Sequence, residues 1–177
     1  MSTAIVRFAT PADIPALMRM KASLLALENS LHVATASEAD WRRDGFGPQP
    51  LFQALIAEID GAAIGMATYS RRGFPGWQGC AFFLHDLYVD EAFRGCGHAR
   101  ALMAHLAAEA QAQNAAFIEL TVDAGNAARK FYERVGFAHV RHCMSYIAAQ
   151  PALQKLATGQ ETDADAPRAN MTPLIPA

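Results

Sequence analysis

The order of segments along the chain predicts an α/β (α+β) fold: one mixed sheet with helices on both faces. Three observations carry this expectation. Short apolar runs of strand character alternate with longer stretches whose apolar residues recur at helical spacing. An Asp60-Gly61 pair joins two of the strand-like runs. The longest near-continuous apolar run, 81–89, leads through small residues into an Ala-rich amphipathic stretch.

Each element has its own local signal. Residues 5–8 form a short apolar strand. Thr10, Pro11 and Asp13 then mark a helix start, with Thr as N-cap, Pro in the first turn and an acid beside it. Ile14, Leu17, Met18, Leu24 and Leu25 follow at helical spacing, and Lys21 is the polar exception on that stripe. Ser37 is placed to cap a short second helix that stops at Gly45 in Asp44-Gly45-Phe46-Gly47. Runs 54–59 and 62–69 read as strands. Asp60-Gly61 between them suits a type I′ turn, which needs positive φ at both central positions. Residues 81–89 read as a buried central strand and 100–113 as a helix with Leu102, Met103, Leu106, Ala107 and Ala110 on one face. Residues 117–122 read as another buried strand, 126–135 as a helix ended by Gly136, and 140–147 as a last alternating strand.

The chain has 177 residues, about one domain's worth. With 52% hydrophobic and 18% charged residues it is not a disordered polyelectrolyte. Its 15 Lys+Arg face 17 Asp+Glu, and the deficit lies in the last 21 residues, where Glu161, Asp163 and Asp165 meet only Arg168. A neutral body argues against binding nucleic acid through clustered cations. Composition breaks after Leu156: the domain is expected over 1–156 and a flexible tail over 157–177, where Pro167, Pro173 and Pro176 sit among small and polar residues. Cys80, Cys96 and Cys143 are odd in number and widely spaced, which suggests neither zinc nor a disulfide framework and fits a reducing compartment. His98, His105, His139 and His142 show no ligand spacing, so no metal is expected. Residues 1–8 lack a basic patch followed by an apolar run, and no stretch is long and charge-free enough to span a bilayer. The expectation is a cytoplasmic protein that uses no membrane.

The chemistry concentrates between Leu84 and Phe137. The strand at 83–89 runs into Asp90-Glu91-Ala92-Phe93, then Arg94-Gly95-Cys96-Gly97-His98-Ala99, and a helix follows. Small residues at a helix start let unpaired backbone N–H groups approach an anion, and the helix dipole adds positive potential. Arg94 and Arg100 add charge beside them. The loop lacks the Gly-Lys-Ser/Thr of a P-loop, and Arg100 breaks G-x-G-x-x-G. By physics alone it is either an anion-binding helix start or an ordinary Gly-rich turn.

Arg94-x-x-Gly97-x-Ala99 resembles the Q/R-x-x-G-x-G/A acetyl-CoA motif of the GNAT superfamily of N-acetyltransferases, and Phe131-Tyr132-Glu133-Arg134-Val135-Gly136-Phe137 is similar to its second signature. Asp44-Gly45-Phe46-Gly47, Pro50, Phe52, Trp77 and Gly79 resemble the spermidine/spermine (diamine) acetyltransferase branch. The likeness covers 5–147. It implies a mixed, mostly antiparallel sheet splayed in a V after 84–89, acetyl-CoA as cosubstrate, and direct transfer to an amine in a ternary complex. It implies that backbone of Leu87, Tyr88 and Val89 pairs with the pantetheine arm. Amides of Gly95, Cys96, Gly97, His98, Ala99 and Arg100 would hold the pyrophosphate, with Arg94, Asn126 and Arg129 completing the cofactor contacts. The likeness also implies a homodimer.

For the chemistry, Tyr132 matches the family's acid to the leaving thiolate. A phenol of pKa about 10 stays protonated at neutral pH. The bland alternative is a core tyrosine. His85-Asp86 stands where the diamine branch carries Glu-Asp. Either residue could hold or relay the proton of an incoming ammonium, or His85 could be a core histidine satisfied by a carbonyl. Alternation along a strand lets only one of the two face the thioester unless a bulge intervenes. Glu28 and Trp77 match acceptor-binding positions of that branch, while its other acids are replaced by Leu31, His32 and Val33. The family's Asn seven residues before the Tyr is Gly125 here, with Asn126 one place later. Cys96 has no base beside it in the motif, so it is no nucleophile.

The function expected is acetyl transfer from acetyl-CoA to a primary amine of a small molecule, a diamine, polyamine or thialysine-like amine. Two other readings stay open. One is acetylation of a protein N-terminus, a lysine or an antibiotic amine. The other is a non-catalytic acyl-CoA-binding module, against which Tyr132 speaks.

Overall fold

The structure, a computed structural model, describes residues 4–28, 35–73, 80–141 and 157–158. The chain runs β1 (Ile5–Phe8), α1 (Ile14–Leu27), α2 (Glu38–Phe46), β2 (Gln53–Ile59), β3 (Ala62–Gly73), β4 (Cys80–Val89), α3 (His98–Ala112), β5 (Ala115–Leu120) and α4 (Arg129–Arg134). Local chemistry explains the boundaries. Thr10 and Asp13 form a capping box before α1, over a 3₁₀ turn at Pro11–Asp13. Arg7 clamps both Asp13 and Glu58, tying β1 to the start of α1 and to β2. Ser37 and Asp40 form a second capping box at α2. Asp60 and Gly61 take φ of 49° and 80°, as a type I′ turn requires.

Five strands lie in sequence order in one sheet. All pairs are antiparallel except β4 with β5, which is parallel. Each face carries its own core. On one, Leu17 and Met20 of α1 pack on Ile56, Met66 and Tyr88. On the other, Leu102, Met103 and Leu106 of α3 pack on Leu55, Ala67, Phe82 and Leu84. Full burial of each such side chain is worth about 1.5–3 kcal/mol.

Four expectations need adjustment. β3 runs on to Gly73, because its outer half pairs with the first half of β4. β5 starts at Ala115, and its residues are half-buried or exposed rather than buried, since it ends the described sheet. α3 begins two residues early, at His98, because Gly97 takes φ +88° and can cap it. α4 begins at Arg129, because Asn126 accepts a hydrogen bond from the Ala128 N–H at 2.8 Å and holds 126–128 in turns. Of the expected last strand, Val140 and Arg141 are not in a strand and the rest lies outside the described residues, as does the expected tail beyond Thr158. Among the described residues, no helix is long and apolar enough to cross a membrane.

Candidate active site

The pairing of β4 makes the site. On one side its whole length pairs with β3, but on the other its ladder to β5 ends at Leu84 with Leu120. Among the described residues, Leu87, Tyr88 and Val89 beyond that point pair only with β3. The strands part there, and one edge of β4 keeps backbone groups available to an extended ligand.

A bulge lies at the same place. Thr68 pairs with Asp86 and Tyr69 with Leu84, so His85 is the extra residue. Above the bulge Phe82 and Leu84 face α3; below it Leu87 and Val89 do. The shift turns two consecutive side chains to the α1 face. His85 Nε2 meets Ser70 Oγ at 2.9 Å, and Asp86 Oδ2 accepts from Thr68 Oγ1 at 2.6 Å. Ser70 and Thr68 are two apart on β3, hence on one face. The bulge that lifts the alternation limit is present, and both His85 and Asp86 reach one side of the sheet.

Charges gather around them. Lys21 Nζ lies 2.5 Å from Asp86 Oδ1, so the polar residue on α1's apolar stripe has a buried partner. Glu28, just past α1, is pushed above the usual carboxylate range by burial, Lys21 pulling it down and Asp86 and Asp123 pushing it up. His85 is exposed but desolvated in part, which lowers its pKa; Asp86 opposes this, and Arg72 and Lys21 reinforce it. The lowered pKa favours the neutral imidazole at pH 7, and its partner among the described residues is a hydroxyl. Tyr132 on α4 packs against Phe131 and Phe137. Its phenol is pushed up to about 12 by burial and by the charges of Glu28 and Asp86. The charges of Glu28 and Asp86 thus bear on the Tyr132 phenol.

Before α3, Gly95 and Gly97 take φ of +76° and +88°, and a Cβ on either would meet nothing within 4 Å. The space over this loop is open, and the first N–H groups of α3 face no intrahelical carbonyl. Arg94 folds back, its Nε donating to the Val89 carbonyl at 2.9 Å, and so braces the strand end against the loop. Cys96, Ala99 and Arg100 lie in or beside the loop, and His98 packs its ring on Phe93. Arg100 and Arg134 line a cavity of about 430 Å³ between α3, β5 and the end of α4. This arrangement fits a pyrophosphate-bearing ligand on residue grounds: open glycine backbone, a helix start and nearby guanidinium groups.

Asn126 and Arg129 are engaged locally: Asn126 holds the Ala128 N–H, and Arg129 donates to the Ala124 carbonyl at 2.8 Å. Trp77 and the stretch from Leu31 to Val33 lie outside the described residues. Among the described residues no group of three or more His, Cys, Asp or Glu could hold a metal ion. Sequence reasoning misses Thr68, Ser70 and Asp123, which carry no motif. For Lys21 a signal exists: a cation on an inward helical stripe calls for a buried partner.

Residues 22–137 match the Acetyltransferase (GNAT) family. Among curated proteins, the Homo sapiens spermidine/spermine N(1)-acetyltransferase-like protein 1 is 36% identical over 99 residues, covering 52% of this chain and 14% of that protein. Thialysine N-epsilon-acetyltransferase of Mus musculus is 33% identical over 105 residues, 55% of this chain and 61% of that one. The chain thus spans less than two thirds of the length of either. Among solved structures, an integron cassette protein of V. cholerae superposes with a TM-score of 0.74 at 23% identity, over 89% of this chain and 99% of that chain. An aminoglycoside acetyltransferase from an uncultured soil metagenomic sample gives 0.72 at 13%, over 84% and 97%. These two share the fold.

Proposed function

The chain belongs to the acetyltransferase (GNAT) family, and on that premise we propose that it is an acetyl-CoA-dependent N-acetyltransferase acting on a primary amine of a small molecule. The observation that carries the proposal is the splay: the described β4–β5 ladder stops at Leu84, which leaves the Leu87–Val89 edge of β4 free of β5. Relatives named for spermidine/spermine and thialysine support a small amine as acceptor.

Acetyl-CoA supplies the thioester. The amides of Gly95, Cys96, Gly97, His98, Ala99 and Arg100 hold its pyrophosphate, and the free edge of Leu87–Val89 aligns its arm. Arg94 fixes the loop to the strand, while Asn126 and Arg129 shape the turn before α4 that carries Tyr132 to the splay. Glu28 and Asp86 give the acceptor end its negative field. His85, neutral at pH 7, takes the proton that the ammonium must lose before its nitrogen can attack. The new N–C bond forms as the C–S bond breaks, and Tyr132 donates to the departing thiolate. A phenol near 12 is a weak acid against a thiol of about 8.5, so it serves chiefly as a fully protonated hydrogen-bond donor. As parts of the same reading, the enzyme works in the cytoplasm as a homodimer.

A screen of small primary amines, read by thiol release from acetyl-CoA, tests the proposal. Amine-dependent release is expected. CoA binding without release for any amine points instead to a non-catalytic binding module, and release with peptides alone points to a protein acceptor.

A further inference from the structure

The acceptor end holds a cation of its own, and the role inferred for it rests on the acetyl-transfer reading of this site. Asp86 is only 8% exposed and both of its oxygens are taken, Oδ1 by Lys21 Nζ at 2.5 Å and Oδ2 by Thr68 Oγ1 at 2.6 Å. Lys21 is less sealed: its side chain is 31% exposed, and its charge reaches Glu28 and His85 as well. The ammonium is thus partly open to solvent rather than sealed behind Asp86. Glu28 and Asp123 are the carboxylates there that no described salt bridge engages.

We propose that Lys21 is a specificity-determining residue, a resident counter-ion that fills the place of a second acceptor ammonium, so that the site selects amines of single positive charge over diamines and polyamines. The reason is competition. A diamine entering with its reactive nitrogen at the splay would seek Asp86 with its other ammonium. It finds that carboxylate already bonded and meets the like charge of Lys21 instead. Opposite charges close together favour the cation and like charges disfavour it. A monoamine needs only Glu28 and the negative field that remains. Lys21 acts through Asp86 and the local field; it is not a catalytic residue.

The test compares n-butylamine with 1,4-diaminobutane, which share a carbon chain and differ by one ammonium, at fixed ionic strength. Wild type is expected to show the higher kcat/KM for butylamine. Lys21→Met removes the charge at similar length and frees Asp86. It should raise the diamine-to-monoamine ratio of kcat/KM by about 10–100-fold, the range of one hydrogen bond to a charged group. Lys21→Arg should keep the wild-type ratio. Should Lys21→Met fail to fold, Lys21→Gln, which can still bond Asp86 without charge, should shift the ratio in the same direction. An ion pair that only braces the fold would lower both kcat/KM values alike, and an unchanged ratio overturns the proposal. So does a wild type that favours the diamine. Absence of thiol release with every amine of a broad screen is a different result: it sinks the acetyl-transfer reading, and this proposal with it.

Discussion

Tyr132 and His85 are held in opposite protonation regimes by their surroundings. Burial and the nearby carboxylates of Glu28 and Asp86 push the phenol up to about 12, so it keeps its proton throughout the physiological range. An acid works below its pKa, so Tyr132 should impose no alkaline limb up to pH about 10. Tyr132→Phe removes one hydroxyl and almost no volume. It should lower kcat by about 10²–10³-fold, the worth of one hydrogen-bond donor to a developing charge, with acetyl-CoA affinity little changed, as steady-state kinetics and calorimetry would show. Full activity would reduce Tyr132 to packing. His85 must be neutral to take a proton, and its pKa is lowered, first by burial and then by Arg72 and Lys21 against Asp86. Activity should therefore fall only as pH drops through a value below about 6.5. In His85→Gln that acid limb should vanish from the kcat/KM profile; a profile with the limb intact assigns it to another group.

The decisive elements are the end of β4 and the start of α3. Gly97 sits at φ +88° with open space above it, so an acidic side chain fits there but occupies the ground a pyrophosphate needs. Gly97→Glu should cost about 1–2 kcal/mol in backbone strain, leave the fold intact by circular dichroism, and abolish CoA binding. Unchanged CoA affinity would remove the loop from the binding site. This loop, the Asp60-Gly61 turn and both capping boxes are legible in the sequence because each is set by residues within a few positions of one another. The bulge at His85 is not, since it arises from the register between β3 and β4 and leaves no local mark. The ladder's end at Leu84 is hidden for the same reason. The start of α4 is misplaced by sequence reasoning because Asn126, a good cap in isolation, uses its carboxamide on a preceding turn. Lys21 shows a case where the signal is present and its meaning is not: the stripe reveals the anomaly, and only the fold supplies Asp86.

At the scale of the molecule, two cores on opposite faces of the sheet clamp β3 and β4, and the site opens where that sheet gives way. The residues proposed to bind and react come from parts of the chain far apart in sequence: Glu28 after α1, His85 and Asp86 on β4, Gly97 before α3, Tyr132 on α4. On the proposed reading this layout takes two ligands together, one along the edge of β4 and the other at the α1 face, and no described residue is set up as a covalent carrier of acetyl. The central claim is direct transfer at the splay. Initial velocities of thiol release, measured over a matrix of acetyl-CoA and amine concentrations, test it most directly. Intersecting lines in double-reciprocal plots are the expected result, because both substrates must be bound before the acetyl group moves. Parallel lines, together with release of the thiol in the absence of amine, would mean that the enzyme itself is acetylated first and would contradict the account.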